Sequence, residues 1–492
     1  MLIFWIILSI YLSMLGLLTL YGLHRMFLLR SLRRPQARST RWKWESAPLV
    51  TVQLPLYNEA AVVTRLIDAV ARLDWPTARL QIQVLDDSTD ATSALALRAA
   101  EDWRKKGLNI QVIRRPSRTG YKAGALAHGL TTARGEFIAI FDADFVPEPD
   151  FLHQLMPSFS EGVGMVQARW GHLNRHQRLL TRLQAMLLDG HFVIEHAARH
   201  HAGHFFNFNG TAGIWRRACI DDAGGWAHDT ITEDLDLSYR AQLKGWRFVF
   251  RSDVVVPAEI PRDMPAFLTQ QHRWAKGGVQ TARKLLGQVL RAEQPAGVKL
   301  EATVHLTSPI GYPLMVLLAV LLPPTIAARS ALGLHDLQLI DLLVILSTTG
   351  SMTLFFGTAL TRQGRPLLQH IWEIPLTMAL GAGMAISQGL AVLEGLTNDD
   401  VTFVRTPKHG TQGTMITRGG DTRPLARMLT LCLALYYAAA IPWAIHEAHW
   451  GSLPFMLLFA CGFWGVGLGL LPDLRLGPTA ARTETGQAPA AK

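Results

Sequence analysis

Phe137-Ile138-Ala139-Ile140-Phe141-Asp142-Ala143-Asp144 is the stretch whose reading decides the fold. An unbroken apolar run ending in two carboxylates predicts a buried central strand whose last residues emerge at the sheet edge. Side chains alternate along a strand, so Asp142 and Asp144 are expected on one side and Ala143 on the other. Two carboxylates on one face repel each other unless a cation lies between them. A hard divalent ion, Mg²⁺ or Mn²⁺, bound through oxygen and still carrying substrate phosphates, suits that arrangement. Taken alone, Asp-x-Asp reads as an acidic turn after a strand; the sequence around it points further.

Working outward, residues 49–54, 81–85, 109–113 and 136–141 predict four strands. Helices are expected between them. One follows Asn58 as its cap and carries Val62, Val63, Leu66, Ile67 and Val70 on one face; one starts at Thr89 or Asp90; one covers residues 121–131. Strand–helix alternation with short connections means a mostly parallel sheet with helices on both faces. Ligands bind such sheets outside the carboxyl ends of the strands. Polar residues collect there: Tyr57-Asn58-Glu59, Asp86-Asp87, and the pair Asp142 and Asp144. Position therefore suggests a nucleotide site. There is no glycine-rich dinucleotide fingerprint and no phosphate loop, which disfavours dehydrogenase and P-loop chemistry.

Lys122, at the start of the third helix, could neutralise phosphate charge beside free backbone N–H groups. Beyond residue 160 the alternation weakens. Phe205-Phe206-Asn207-Phe208-Asn209-Gly210-Thr211-Ala212-Gly213 has the composition of a sugar-binding loop or of a tight turn. Thr232-Glu233-Asp234 opens a helix running to Leu243, where acids ordinarily serve the helix dipole. In Gln270-Gln271-His272-Arg273-Trp274 the indole offers a face to a sugar ring, and the guanidinium a bidentate grip on phosphate. His196 and His200 have helical ligand spacing, but the run 195–204 reads better as a polar helix end beside a groove.

The two ends of the chain are apolar. Hydrophobic residues make up 49% of the 492 and charged ones 17%, the balance of a membrane protein. Residues 1–24 predict an N-terminal transmembrane helix, followed by a basic juxtamembrane linker over 25–47. Its cations follow the apolar run, so it reads as an anchor and not as a cleaved signal, with its N-terminus outside. The α/β domain is expected over 48–290 and a membrane region over 300–472. Spans are expected at 304–327, 337–360, 426–446 and 453–471. Residues 367–396 carry His370, Glu373, Pro375, Gln388 and Glu394, and are read as an interfacial helix before a loop at 401–425. The tail 473–492 reads as disordered. The net charge of +10 sits largely beside the spans, so membrane lipids explain it and nucleic acid is not an expected partner. The three cysteines form neither a disulfide framework nor a zinc spacing.

Asp86-Asp87, Asp142-Ala143-Asp144, Thr232-Glu233-Asp234 and Gln270-Gln271-His272-Arg273-Trp274, in that order and between apolar ends, resemble the D, DxD, TED, QxxRW series of processive family-2 glycosyltransferases. The text around Val52–Glu59, Gln83–Asp90, Gly120–Leu126 and Phe208–Gly213 resembles the cellulose-synthase-like A and C proteins, which make mannan, glucomannan or glucan backbones. The resemblance implies a GT-A-type α/β domain joined to a helical transmembrane bundle. It also implies an integral protein of the cell (inner) membrane, with the catalytic domain cytoplasmic. Tyr57, Glu59 and Asp87 would then hold the nucleoside; Lys122, Asp142, Gln270 and Arg273 would complete the nucleotide-sugar site. Asp144 with Asp142 would hold Mg²⁺ or Mn²⁺. Asp234 would be the general base, and Trp274, Asn209, Gly210 and Glu233 would face the acceptor. Phe403-Val404-Arg405-Thr406-Pro407-Lys408 resembles a gating loop, with Arg405 in place of the usual Val.

The implied reaction is inverting polymerisation of a β-linked glycan from UDP-glucose or GDP-mannose onto a growing glycan. The alternative is a non-processive enzyme adding sugar to a membrane lipid. A transporter or scaffold with an inactive nucleotide domain is a third reading, disfavoured because every expected acid is present.

Overall fold

The structure, a computed structural model, describes residues 1–32, 47–334, 338–402 and 424–469. The gating-loop resemblance at 403–408, the tail 473–492 and most of the basic linker lie outside the described residues.

Seven strands form one sheet: β1 (Val50–Leu56), β2 (Leu80–Asp86), β3 (Ile110–Ile113), β4 (Phe137–Ile140), β5 (Val163–His172), β6 (Gly213–Arg216) and β7 (Arg247–Ala258). Their spatial order is β3-β2-β1-β4-β6-β5-β7. β6 alone runs against its neighbours, pairing antiparallel with β4 and β5. The central strands are buried on both faces. One face of β1 carries Val50, Val52 and Leu54; the other carries Thr51 and Gln53, fully buried. Register explains how those polar groups survive: Thr51 pairs with Gln81 and Gln53 with Gln83. Thr51 Oγ1 donates to Gln81 Oε1 at 2.8 Å and Gln53 Nε2 to Gln83 Oε1 at 3.0 Å. A one-residue slip would orphan them all, so the ladder also fixes the register.

The four expected strands form within a residue or two of their predicted ends. Two details differ. β4 stops at Ile140, so Asp142 and Asp144 lie on the loop beyond it, and strand alternation does not orient them. Asn58 caps no helix: it sits at φ 56°, in the left-handed region its short amide tolerates. Its main-chain N–H donates to Ser88 Oγ at 2.9 Å, and its Oδ1 accepts from the Thr89 N–H at 2.8 Å. Asn58 thus ties together the loops after β1 and β2, and the Val63–Ala71 helix begins uncapped. β5 to β7 were hidden behind the weakening alternation: β6 is four residues long, and β7 mixes polar with apolar residues.

Among the described residues three helical stretches are long and apolar enough to cross a membrane: Leu2–Ser31, Ala296–Leu332 and Pro424–His446. The expected span at 337–360 falls, from residue 338 on, in the Gln338–Arg362 helix. The one expected at 453–471 is a 15-residue helix, Leu453–Gly467, short for a full crossing. Residues 367–396 are not one straight helix. Leu367–Gly383 and Ala385–Thr397 form a pair bent by 45°, which together would make a fourth apolar span or a re-entrant loop. Small residues allow a backbone-to-backbone contact beside the bend: a Cβ on Gly383 would lie 2.2 Å from Gly462 O, and one on Gly462 2.2 Å from Ala379 O. The polar groups of this stretch turn toward the α/β domain. Buried Glu373 binds Arg182 and, at 2.9 Å, His370 Nδ1. Glu394 meets His272 Nε2 at 3.3 Å.

Candidate active site

A cleft opens at the carboxyl ends of β1, β2 and β4, where the loops after the strands meet the Tyr121–Leu130, Glu233–Leu243 and Met264–Arg291 helices. Every residue expected at a site lines it: Tyr57, Glu59 and Asp87; Lys122, Asp142 and Asp144; Asn209 and Gly210; Glu233 and Asp234; Gln270, Arg273 and Trp274.

Lys122 stands at its centre. The Tyr121–Leu130 helix begins at Gly120, whose φ of 70° lets the chain turn in from β3. From the helix's first turn Lys122 Nζ reaches Asp142 Oδ1 at 2.6 Å and donates to Gly210 O at 2.8 Å, with Glu233 Oε1 at 3.9 Å. Burial would strip the ammonium of its charge, but Asp142, Glu233 and Asp234 outweigh that and hold its pKa above the ordinary lysine value. Gly210 can approach because it has no side chain and a φ of 79°. A Cβ there would lie 3.1 Å from Asp234 Oδ2 and 3.2 Å from Lys122 Nζ.

Asp234 opens the Glu233–Leu243 helix. Burial, and then the charge of Glu233, raise its carboxyl from 3.8 to about 7, against the opposing pull of Lys122 and of the Leu235 N–H. Burial raises Glu233 as well. Two acids in a first helical turn, ordinarily dipole partners, here line the cleft partly buried, and Asp234 is left with a proton-accepting range near neutrality.

At the other side of the cleft the Arg118 guanidinium lies 3.3 Å from the Tyr57 ring centroid and 4.8 Å from that of Tyr121. Asp87 is gripped at both oxygens by Arg115, at 2.8 and 2.6 Å. Its neighbour Asp86 does not line the cleft. Asp86 accepts from the Ser88 N–H and from Ser93 Oγ, bracing the loop. The Asp142 N–H donates to Thr211 Oγ1 at 2.8 Å, and Asp144 is 3% exposed. Among the described residues no group of three or more His, Cys, Asp or Glu converges as a metal cage. Two carboxylates on one wall fit a hard cation that takes its remaining oxygens from a ligand and water.

Gln270, Arg273 and Trp274 share a face of the Met264–Arg291 helix by their i, i+3, i+4 spacing. Asp263 caps that helix, accepting from the Ala266 N–H at 2.9 Å. Burial draws Arg273 down to about 10, against Glu233 and Asp142. Behind the loop, His191 Nε2 meets Asn209 Nδ2 at 3.0 Å and His196 Nε2 meets Asn207 O at 3.0 Å. Those histidines brace the loop, and burial keeps His196 well below its ordinary value.

Arg118, Trp170 and His172 also line the cleft and escaped the sequence reading. Recognising β5 would have exposed the latter two, since they stand two residues apart at its carboxyl end.

Residues 47–277 match the profile of the family described as "Glycosyltransferase like family 2". "Glucomannan 4-beta-mannosyltransferase 7" of Arabidopsis thaliana is 43% identical over 269 residues, covering 51% of this chain and 48% of that protein. "Glucomannan 4-beta-mannosyltransferase 1" of Oryza sativa subsp. japonica is 46% identical over 250 residues, covering 50% and 48%. The chain spans about half the length of these curated relatives. The solved structure "Mannosyltransferase PcManGT from Pyrobaculum calidifontis in complex with GDP-Man and Mn2+" shares the fold with a TM-score of 0.53 at 22% identity, covering 80% of this chain and 99% of that one. The sheet is therefore of the GT-A type, and residues 47–277 match a family-2 glycosyltransferase domain.

Proposed function

We propose that the protein is a membrane-bound inverting hexosyltransferase that extends a β-linked glycan of the mannan or glucomannan type from GDP-mannose. The observation that carries this reading is the partly buried Asp234, raised to about 7, in one cleft with Lys122, the two DxD carboxylates and Trp274. The choice of GDP-mannose over UDP-glucose follows the names of the relatives similar over residues 47–277.

In this reading Lys122 and Arg273 receive the donor diphosphate, while Asp87, Tyr57 and Glu59 hold the nucleoside. Asp144 and Asp142 would hold Mg²⁺ or Mn²⁺, which stabilises the charge of the departing diphosphate. Asp234 accepts the proton of the acceptor hydroxyl as that oxygen bonds to the anomeric carbon and the bond to diphosphate breaks. A single displacement inverts the anomeric centre, so an α-linked donor yields a β-linked product. Trp274 stacks on the terminal sugar, a contact worth about 1 kcal/mol, renewed at each addition. The apolar helices would carry the reaction at a membrane face, with the cleft on the cytoplasmic side.

Membranes containing the protein, given labelled GDP-mannose or UDP-glucose, test the reading. A long product cut by a β-mannanase is expected with GDP-mannose. Trp274→Ala should shorten that product more than it weakens nucleotide affinity. A discrete, organic-extractable glycolipid as the sole product would overturn the polymerase in favour of lipid glycosylation.

A further inference from the structure

Two polar atoms in the cleft wall have no hydrogen-bond partner in the protein. Trp170 and His172 stand two apart at the end of β5, so their side chains leave the strand on the same side, and both line the cleft. The Trp170 ring is clamped 5.2 Å from Phe145 and 5.1 Å from Phe192, and lies 6.5 Å from Trp274, centroid to centroid. Its Nε1–H, which can only donate, is buried and unpartnered.

His172 is held from behind. Its side chain is 4% exposed, and its Nε2 lies 3.0 Å from Asp189 Oδ1. The other oxygen of Asp189 accepts from Arg175 Nη1. Burial would raise Asp189, but Arg175 and His172 outweigh it and hold the carboxyl well below the usual carboxylate range. An ionised carboxylate only accepts, so His172 carries its hydrogen on Nε2. With its hydrogen on Nε2, the uncharged form of the ring leaves Nδ1 as an acceptor. That Nδ1 is buried and unpartnered too.

A donor and an acceptor, each fixed in orientation by buried neighbours and each unsatisfied, stand side by side next to the tryptophan assigned to the terminal sugar. Leaving a buried polar group unmatched is costly, so such groups are kept where a ligand completes them. We infer that Trp170 and His172 form a second sugar subsite on the acceptor side. Trp170 Nε1 donates to one hydroxyl of a β-linked hexopyranose and His172 Nδ1 accepts from a neighbouring one. Asp189 and Arg175 are positioning residues that fix the histidine's tautomer and tilt. The subsite engages the acceptor chain next to the hexose stacked on Trp274, and so favours oligosaccharides over single sugars. This inference rests on the glycan-extending reading above.

The test uses the full-length protein in detergent with GDP-mannose and an end-labelled β-1,4-linked mannotetraose, following KM for the acceptor alongside nucleotide affinity. Trp170→Phe keeps the packed ring and removes only the N–H. His172→Gln keeps a donor toward Asp189 and removes the group at Nδ1. Each is expected to raise the acceptor KM five- to tenfold and leave nucleotide affinity as in wild type. If wild type extends the tetraose and both variants keep its acceptor KM, the subsite is refuted and the polymerase reading stands. Nucleotide affinity falling in step with acceptor KM would also refute it, since a merely structural role would do that. If wild type extends no oligosaccharide, the polymerase reading fails and this inference with it.

Discussion

Replacing Asp234 by Asn should make the protein more stable and nearly inactive, and both effects follow from one burial. The carboxyl is raised from 3.8 to about 7, chiefly by loss of water and secondarily by Glu233. A shift of about three units corresponds to roughly 4 kcal/mol between the protonated and ionised forms. The folded state binds the proton more tightly than the unfolded state. That contribution to stability is therefore complete below the unfolded value and is lost as pH rises to about 7. Asn has no proton to lose. Asp234→Asn should gain up to about 4 kcal/mol over wild type at high pH and little in acid, seen as a higher melting temperature at alkaline pH. Turnover should fall by roughly 10²–10⁴, the usual worth of a positioned base. In wild type the ionised fraction drops about tenfold per pH unit below the pKa, so the rate should climb with that slope and level off near neutrality. Melting curves and sugar incorporation, each followed across pH, check the two halves separately. Undiminished turnover in the variant, or a wild-type rate indifferent to acid, would refute the base. A variant that melts below wild type in alkali would refute the burial argument.

Two further perturbations probe the cation site and the surroundings of the base. Asp144→Ala should abolish the enhancement of GDP-mannose affinity by Mn²⁺, measured by nucleotide titration with the metal and after chelation. An unchanged response to metal would separate Asp144 from cation binding. Gly210→Ala introduces a Cβ at a φ of 79°, 3.1 Å from Asp234 Oδ2 and 3.2 Å from Lys122 Nζ. The left-handed backbone costs a residue with a Cβ about 1–2 kcal/mol. A modest loss of melting temperature with a larger loss of turnover is expected, and a fully active variant would contradict the close approach.

Much of this could be read along the chain. The apolar run into Asp142 and Asp144 and the three strands before it, all parallel in the sheet, follow from patterns a few residues long, which local burial and propensity impose. The acids at 233 and 234, and the i, i+3, i+4 face of Gln270, Arg273 and Trp274, were equally legible as residue types on a helix. The spans expected at 1–24 and 426–446, which fall on the Leu2–Ser31 and Pro424–His446 helices, follow from length and hydropathy alone. Residues 367–396 were harder. Their polar side chains weigh against an easy span, and the bend between Gly383 and Ala385, beside the close approach of the helix at Gly462, is not visible in the sequence.

Sequence by itself determined which elements form and which chemical groups stand at their ends, because hydrogen bonding within a helix and alternation along a strand are local. Tertiary structure alone decided what those groups are. Lys122 becomes the counter-charge of Asp142, twenty positions away, and of Glu233 and Asp234, more than a hundred away. Asp234 becomes a base working near neutrality because folding removes its water and sets Glu233 beside it. Trp170 and His172, silent in the sequence, become a donor and an acceptor on the cleft wall because Phe192 and Asp189 hold them there. Desolvation and Coulomb interaction depend on distance through space, and only the folded chain sets those distances.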